Sequence, residues 1–163
     1  MDNNPNYSLL AKILHWSFVV FFAYGVIKQV DNLDQLKDTS LLRSEILFAL
    51  AFLFLLVVRY FYMKITQKSS LPIKTNKAQK LVARAVHLGM YATLGGIAIS
   101  GLIIGFLFWL GLQEGTIIQV IVTIHEFLIP LMYWLIIAHV SAAIYHRLRK
   151  DGVWSSMAPF WKE

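Results

Sequence analysis

Four long apolar runs constrain this chain more than any other feature. They cover about residues 13–27, 47–62, 85–112 and 116–145 of the 163. Only 15% of the residues are charged, against about 25% in an ordinary soluble domain, so there are too few charges for a water-facing surface. With its amphipathic ends, each run reaches the roughly 20 residues that a membrane-spanning helix requires. The runs do not alternate as barrel strands would. The sequence therefore predicts an all-α integral membrane four-helix bundle.

We expect a single membrane domain of residues 1–163. Its helices should cover about residues 8–29, 42–63, 82–112 and 116–148. A short tail follows over residues 149–163 and contains Trp154, Phe160 and Trp161. This tail is apolar enough to lie on the membrane interface or to pack on a partner.

Basic residues are concentrated on one side of the four predicted helices. The two termini and the second connection share that side and hold twelve of the fifteen lysines and arginines. The opposite side holds Lys28, Lys37 and Arg43, together with six of the nine acidic residues. Because basic residues are retained on the cytoplasmic side of membranes, both termini are predicted to be cytoplasmic. The net charge of +6 therefore indicates topology in membrane lipid, with no nucleic-acid partner.

The chain contains no cysteine. This excludes a disulfide framework, covalently attached c-type haem, iron–sulfur clusters and thiolate zinc sites. Any metal centre must therefore use other ligands.

All five histidines lie within or at the edge of a predicted helix. At 1.5 Å per residue, His15 lies about 8 Å inside helix one from its cytoplasmic end, and His139 about 12 Å inside helix four. Two imidazoles from two helices at one level are what a bis-imidazole haem requires. Histidine in a membrane also forms hydrogen bonds between helices, so each residue has this structural alternative. The placement favours axial ligation of haem iron by His15 and His139.

His125 precedes His139 by fourteen residues on the same predicted helix. Fourteen steps of about 100° end only about 40° short of four full turns, and they rise about 21 Å. Both histidines therefore lie on nearly one stripe. His125 is a candidate ligand of a second haem stacked across the bilayer, with an interhelical hydrogen bond as the alternative.

Two further features bear on a cofactor between the helices. Gly101 and Gly105 in helix three have the spacing of a GxxxG motif, which indicates either close helix packing or room for a flat macrocycle. Arg59 closes helix two on the cytoplasmic side. There it can pair with haem propionates or act as an anchor that reaches the interface.

These residues lie in short segments spread over nearly the whole chain. The segments are Leu14-His15-Trp16, Val57-Val58-Arg59, His87-Leu88, Ile124-His125-Glu126, Ala138-His139 and Lys150-Asp151-Gly152-Val153. Together they resemble the bacterial cytochrome b561 family, which is related to the cytochrome b subunits of nickel–iron hydrogenases.

The resemblance implies a four-helix bundle in the bacterial inner (cytoplasmic) membrane that carries b haems and reacts with quinone. Its cytoplasmic-side haem maps onto His15 and His139. Its outer haem maps onto His125 and a histidine of helix two. At that helix-two position this chain has Glu45, and no histidine lies between His15 and His87. The outer haem is then absent, five-coordinate on His125 or ligated by Glu45, so we expect one haem b and a lost or altered second one.

The leading hypothesis is a membrane haem b electron-transfer protein that exchanges electrons with quinone. Candidate quinone contacts at the cytoplasmic rim are His87, Arg84 and His146. The resemblance extends to superoxide:quinone oxidoreductases, so the chain can be an oxidoreductase of that kind.

Two other functions fit parts of the same sequence. One is a haem b membrane-anchor subunit of a larger respiratory or dehydrogenase complex, which passes electrons from a redox partner subunit. The other is a haem-free proton or ion carrier that uses His125, Glu126 and Glu45.

Overall fold

The computed structural model describes residues 6–67, 71–72 and 75–158. The helices are α1 Leu9–Ile27, α2 Thr39–Thr66, α3 Lys77–Trp109, α4 Thr116–Arg149 and α5 Val153–Met157. A 3-10 helix, Leu33–Lys37, joins α1 to α2, and the described residues contain no strand. The first four α-helices are long and apolar enough to cross a membrane. The prediction of an all-α membrane bundle of four helices is confirmed.

Polar capping residues set the starts of α2 and α3, which begin three and five residues earlier than expected. Asp38 caps α2 by accepting a hydrogen bond from the Ser40 amide at 2.8 Å. Asn76 caps α3 through the Gln79 amide at 2.7 Å. Asp and Asn are preferred caps because their side-chain oxygen satisfies an amide that lacks a helical partner. Polar first turns therefore extend both helices beyond their apolar runs.

α3 is the central helix of the bundle. It packs on both α2 and α4, while α1 packs on α2. Within the described residues, α1 and α4 share no comparable packing surface. The main core joins all four long helices through Phe18, Phe52, Leu94 and Met132. The side between α1 and α4 is therefore the least closed side of the bundle.

Glycines of α3 allow its neighbours to approach closely. A Cβ at Gly105 would lie 2.7 Å from Cγ1 of Ile46 in α2. A Cβ at Gly96 would lie 2.8 Å from Cδ1 of Leu128 in α4. Side chains of the neighbouring helices thus occupy the space above both glycines.

The chain turns sharply after α4. Lys150 and Gly152 have positive φ angles of 50° and 82°, and α5 follows them. The expected tail thus contains a short helix. Some residues used in the sequence analysis, by name or in the count of basic residues, lie outside the described part of the chain: Lys68, Lys74, Phe160, Trp161 and Lys162.

Candidate functional site

Three histidines and one arginine meet in the half of the bundle that we predict to face the cytoplasm. His15 lies on α1, Arg59 on α2, His87 on α3 and His139 on α4. The ring centroids of His15 and His139 are 6.4 Å apart. Those of His87 and His139 are 5.0 Å apart. We call these four residues the inner cluster, to which each long helix contributes one side chain.

Hydrogen bonds assign the ring nitrogens of two of these histidines. His87 Nδ1 donates to the Ala83 carbonyl at 2.6 Å, which leaves Nε2 as the acceptor nitrogen. His15 Nδ1 lies 2.8 Å from Nη2 of Arg59. Because a guanidinium only donates, His15 Nδ1 accepts, and the neutral ring carries its proton on Nε2. His15 could therefore bind a metal through Nε2 only if that proton left and the Arg59 contact were given up.

The separations of the His15–His139 and His87–His139 ring pairs can be compared with the separation of two imidazoles bound to one metal ion. A metal–imidazole bond is about 2 Å long, so two ligand rings on opposite sides of one ion have centroids about 6 Å apart. The 6.4 Å between His15 and His139 agrees with this value. The 5.0 Å between His87 and His139 is shorter, and both ring pairs make edge contacts, with planes at 63° for His15–His139 and 83° for His87–His139. The spacing thus favours His15 with His139 as an opposed pair and places His87 beside them.

Arg59 is held by aromatic rings rather than by an acid. Its guanidinium carbon lies 5.5 Å from the Phe18 ring centroid and 5.6 Å from that of Tyr91. Its Nε is buried and has no hydrogen-bond partner. Within the described residues, no carboxylate forms an ion pair with Arg59. Burying a charge without a counter-charge costs free energy, so an anionic partner would stabilise this guanidinium.

His125 lies in the opposite half of the bundle and faces α3. Ser100 Oγ donates to the Gly96 carbonyl at 2.6 Å, so it accepts from His125 Nδ1 at 2.8 Å. A Cβ at Gly101 would lie 3.4 Å from His125 Cε1, so the ring packs on this glycine. Among the described residues no ion pair joins Glu45 to His125. The structure therefore gives His125 a direct hydrogen-bond partner in Ser100.

The three candidate quinone contacts differ in their surroundings. Arg84 and His87 are exposed on α3, whereas His146 is bonded through Nδ1 to Asp151 at 2.7 Å. A cavity of about 480 Å³ lies at the other end of the bundle. It is lined by Leu33, Gln113, Glu114, Gly115, Ile118, Gln119, Val122 and Thr123.

Comparison with known proteins decides the family. The family model described as prokaryotic cytochrome b561 matches residues 6–160. The chain belongs to this family. Comparisons with curated proteins and with solved structures give no match. Membership of the cytochrome b561 family indicates a membrane haem b electron-transfer protein, and it confirms the family assignment made from the sequence.

The inner cluster fits the haem b that membership of the cytochrome b561 family implies. His15 and His139 offer two imidazoles at the spacing of an opposed pair. The orphaned Nε and unpaired charge of Arg59 match a propionate carboxylate, which a guanidinium binds well. Within the described residues, no group of three or more histidines or carboxylates could hold a bare metal ion.

Sequence reasoning missed three residues of this cytochrome b561 chain. Tyr91 follows His87 by four residues, a spacing that places both on one face of α3. Ser100 precedes Gly101, but nothing in the sequence shows that His125 lies opposite. Asp151 belongs to the Lys150–Val153 segment, and its bond to His146 depends on the turn after α4.

Proposed function

We propose that this protein carries one haem b between His15 and His139 and exchanges electrons with a membrane quinone. The observation that carries the proposal is the 6.4 Å separation of the two rings, which come from helices that share no extensive packing surface in the described part of the chain. The buried guanidinium of Arg59, which has no carboxylate partner among the described residues, lies at the same place and supports it. The distribution of basic residues supports a location in the bacterial inner membrane, with both termini in the cytoplasm.

The side chains of the inner cluster have separate roles in this proposal. When bound, haem b supplies reversible one-electron transfer through its iron. His15 and His139 would hold the haem through one imidazole nitrogen each, an arrangement that favours electron transfer over the binding of other ligands. Arg59 binds a propionate while Phe18 and Tyr91 hold its guanidinium in place. Arg59 would then give up its hydrogen bond to His15 Nδ1 and bind the propionate instead.

We place the quinone contact at His87 and Arg84. Ala83 fixes the His87 ring so that Nε2 can accept a proton from a quinol hydroxyl. The edge contact with His139 supports this position, because it keeps the proton acceptor close to the proposed ligand. Arg84 is exposed on the same helix and can donate to a quinone carbonyl. His146 is a weaker candidate because its Nδ1 is already engaged by Asp151.

A single haem is proposed because the outer half lacks an assembled pair of ligands. His125 is held by Ser100 on α3, and no ion pair of the described residues joins it to Glu45. The opposite surface gives little support to superoxide chemistry, because Lys37 is paired with Asp34 at 2.6 Å. An anion approaching that surface would therefore find this cation already neutralised.

Haem counting and ligand variants test the proposal. A pyridine haemochrome assay on the purified full chain should give one haem per chain, with a low-spin b spectrum. His15→Ala and His139→Ala should each abolish that spectrum. His125→Ala is the matched control and should retain it. A colourless wild type, or a low-spin spectrum in both inner variants, would refute the proposal.

A further inference from the structure

α1 and α4 carry the two proposed ligands without packing extensively on each other in the described part of the chain. If only α2 and α3 connected them, the separation of His15 and His139 would depend on three successive helix contacts. Sites that hold two ligands on one atom tolerate displacements of only about 0.5 Å, so a supporting shell is expected. A direct link between α1 and α4 would supply it.

The short helix α5 makes that link. It packs on α4, and the carbonyl of Met157 accepts a hydrogen bond from Trp16 Nε1 on α1 at 3.3 Å. Ser156 and Ala158 are only 1% and 5% exposed, so the segment is seated within the protein. Trp16 adjoins His15, and their ring centroids are 5.7 Å apart in an edge contact. The end of α5 is therefore tied to the immediate neighbour of a proposed ligand.

Asp151 ties the beginning of α5 to α4. One carboxylate oxygen lies 2.7 Å from His146 Nδ1, and the other accepts from the Val153 amide at 3.4 Å. Both side chains of the His146–Asp151 pair are about four-fifths shielded, at 20% and 19% exposure. His146 follows His139 by seven residues, about 20° short of two full turns, so both lie on one face of α4. Asp151 therefore attaches α5 to the face that carries the other proposed ligand.

We propose that α5, anchored by Asp151 and bonded to Trp16, is a brace that fixes the separation of His15 and His139. The inference rests on the proposed haem site. Asp151 and Trp16 are positioning residues, because they act on the ligand helices without touching the iron. With the brace intact, both imidazoles stay on one iron. With the brace loosened, one imidazole leaves part of the time and opens a coordination position.

Carbon monoxide binding to the reduced full-length protein measures this opening, because iron with two imidazoles has no free position for it. Trp16→Phe removes the N–H donor and keeps an aromatic ring. Asp151→Ala removes both oxygens, whereas Asp151→Asn keeps one acceptor. Changes in supporting contacts typically alter a metal site by about tenfold or more. We expect a CO-reactive fraction about tenfold higher in Trp16→Phe and Asp151→Ala, an intermediate value in Asp151→Asn, and a new high-spin EPR signal in each.

Two control variants remove the same kinds of group, an indole N–H and a carboxylate, at sites far from α5. Trp109→Phe changes a tryptophan that is 71% exposed at the opposite end, and Asp34→Ala removes an exposed acid. Neither should change CO binding. If Asp151→Ala does not fold, Trp16→Phe decides alone, because it removes the N–H donor and Trp109→Phe controls for the loss of volume.

Different results would contradict the haem site and the brace. A wild type without low-spin haem would refute the haem site itself. A low-spin wild type whose Trp16→Phe and Asp151→Ala variants load haem and resist CO equally would overturn the brace and leave the haem site standing.

Discussion

Replacing Gly105 by alanine tests how the bundle uses the glycines of α3. The added Cβ would lie 2.7 Å from Cγ1 and 3.2 Å from Cδ1 of Ile46. The same substitution at Gly95 would place its Cβ 3.8 Å from Leu56 Cδ2, an ordinary contact. Both glycines lie on α3 and face α2, so Gly95→Ala is a matched control.

The expected cost follows from the overlap at Ile46. Carbon atoms in favourable contact lie about 3.5–4.0 Å apart, so the new methyl group would overlap Cγ1 by about 1 Å. Isoleucine is stiff at χ1, which keeps Cγ1 from rotating away. Overpacking costs about 1–3 kcal/mol, and the better helix propensity of alanine offsets about 1 kcal/mol of it. We expect Gly105→Ala to lose about 1 kcal/mol of unfolding free energy, whereas Gly95→Ala is neutral or gains up to about 1 kcal/mol.

Thermal unfolding of both variants in one detergent measures the difference. A change of 1 kcal/mol shifts the melting temperature by about 2–4 °C in a chain of this size. Haem content should stay at the wild-type level in both variants, because a side chain of α2 occupies the space above Gly105. The reasoning is wrong if Gly105→Ala melts at or above Gly95→Ala. If Gly105→Ala instead loses haem at an unchanged melting temperature, the glycine makes room for the macrocycle.

Three other substitutions have defined outcomes. His87→Ala should slow quinol oxidation about 100-fold, as expected for loss of a proton acceptor, and leave the haem spectrum unchanged; an unchanged rate removes His87 from the quinone site. Ser100→Ala should cost about 1 kcal/mol because His125 Nδ1 loses its partner, whereas an unchanged melting temperature contradicts that bond. Hydrogen bonds from the Ser40 amide and side chain hold the pKa of Asp38 below its usual 3.8. The stabilisation by ionised Asp38 is therefore present above pH 3.8 and is lost as pH falls through the lowered pKa. The wild type should melt at a higher temperature than Asp38→Ala at neutral pH, and this difference should disappear in acid. A difference that persists in acid would contradict the role of the Asp38 carboxylate.

The four long helices could be predicted from the sequence, because a membrane-spanning helix must have a minimum length and an apolar composition. The sequence was also sufficient to place His15 and His139 at one depth, since depth is counted along the helix from its end. Rotation about the helix axis is different, because it depends on packing between helices. The sequence therefore left the partner of His125 open, and only the α3–α4 contact identifies Ser100.

Local turns account for the remaining differences. The chain reverses after α4 because Lys150 and Gly152 adopt positive φ angles. Glycine reaches this region readily, but lysine rarely does, so no pattern at Lys150 predicts the reversal. The bond between Asp151 and His146 follows from that reversal. The GxxxG spacing of Gly101 and Gly105 was equally compatible with close helix packing and with space for a cofactor, so it did not decide between them.

The two halves of the bundle differ in how α4 is bound, and this bears on the number of redox centres. His125 and His139 lie on nearly one stripe of α4, about 21 Å apart. In the half that contains His125, α4 closes onto α3 through Ser100 and Gly101. In the half that contains His139, the rings that contact it come from both α1 and α3. This difference agrees with the proposal of a single haem near one leaflet, which would suit electron exchange with a quinone in that leaflet better than transfer across the whole bilayer.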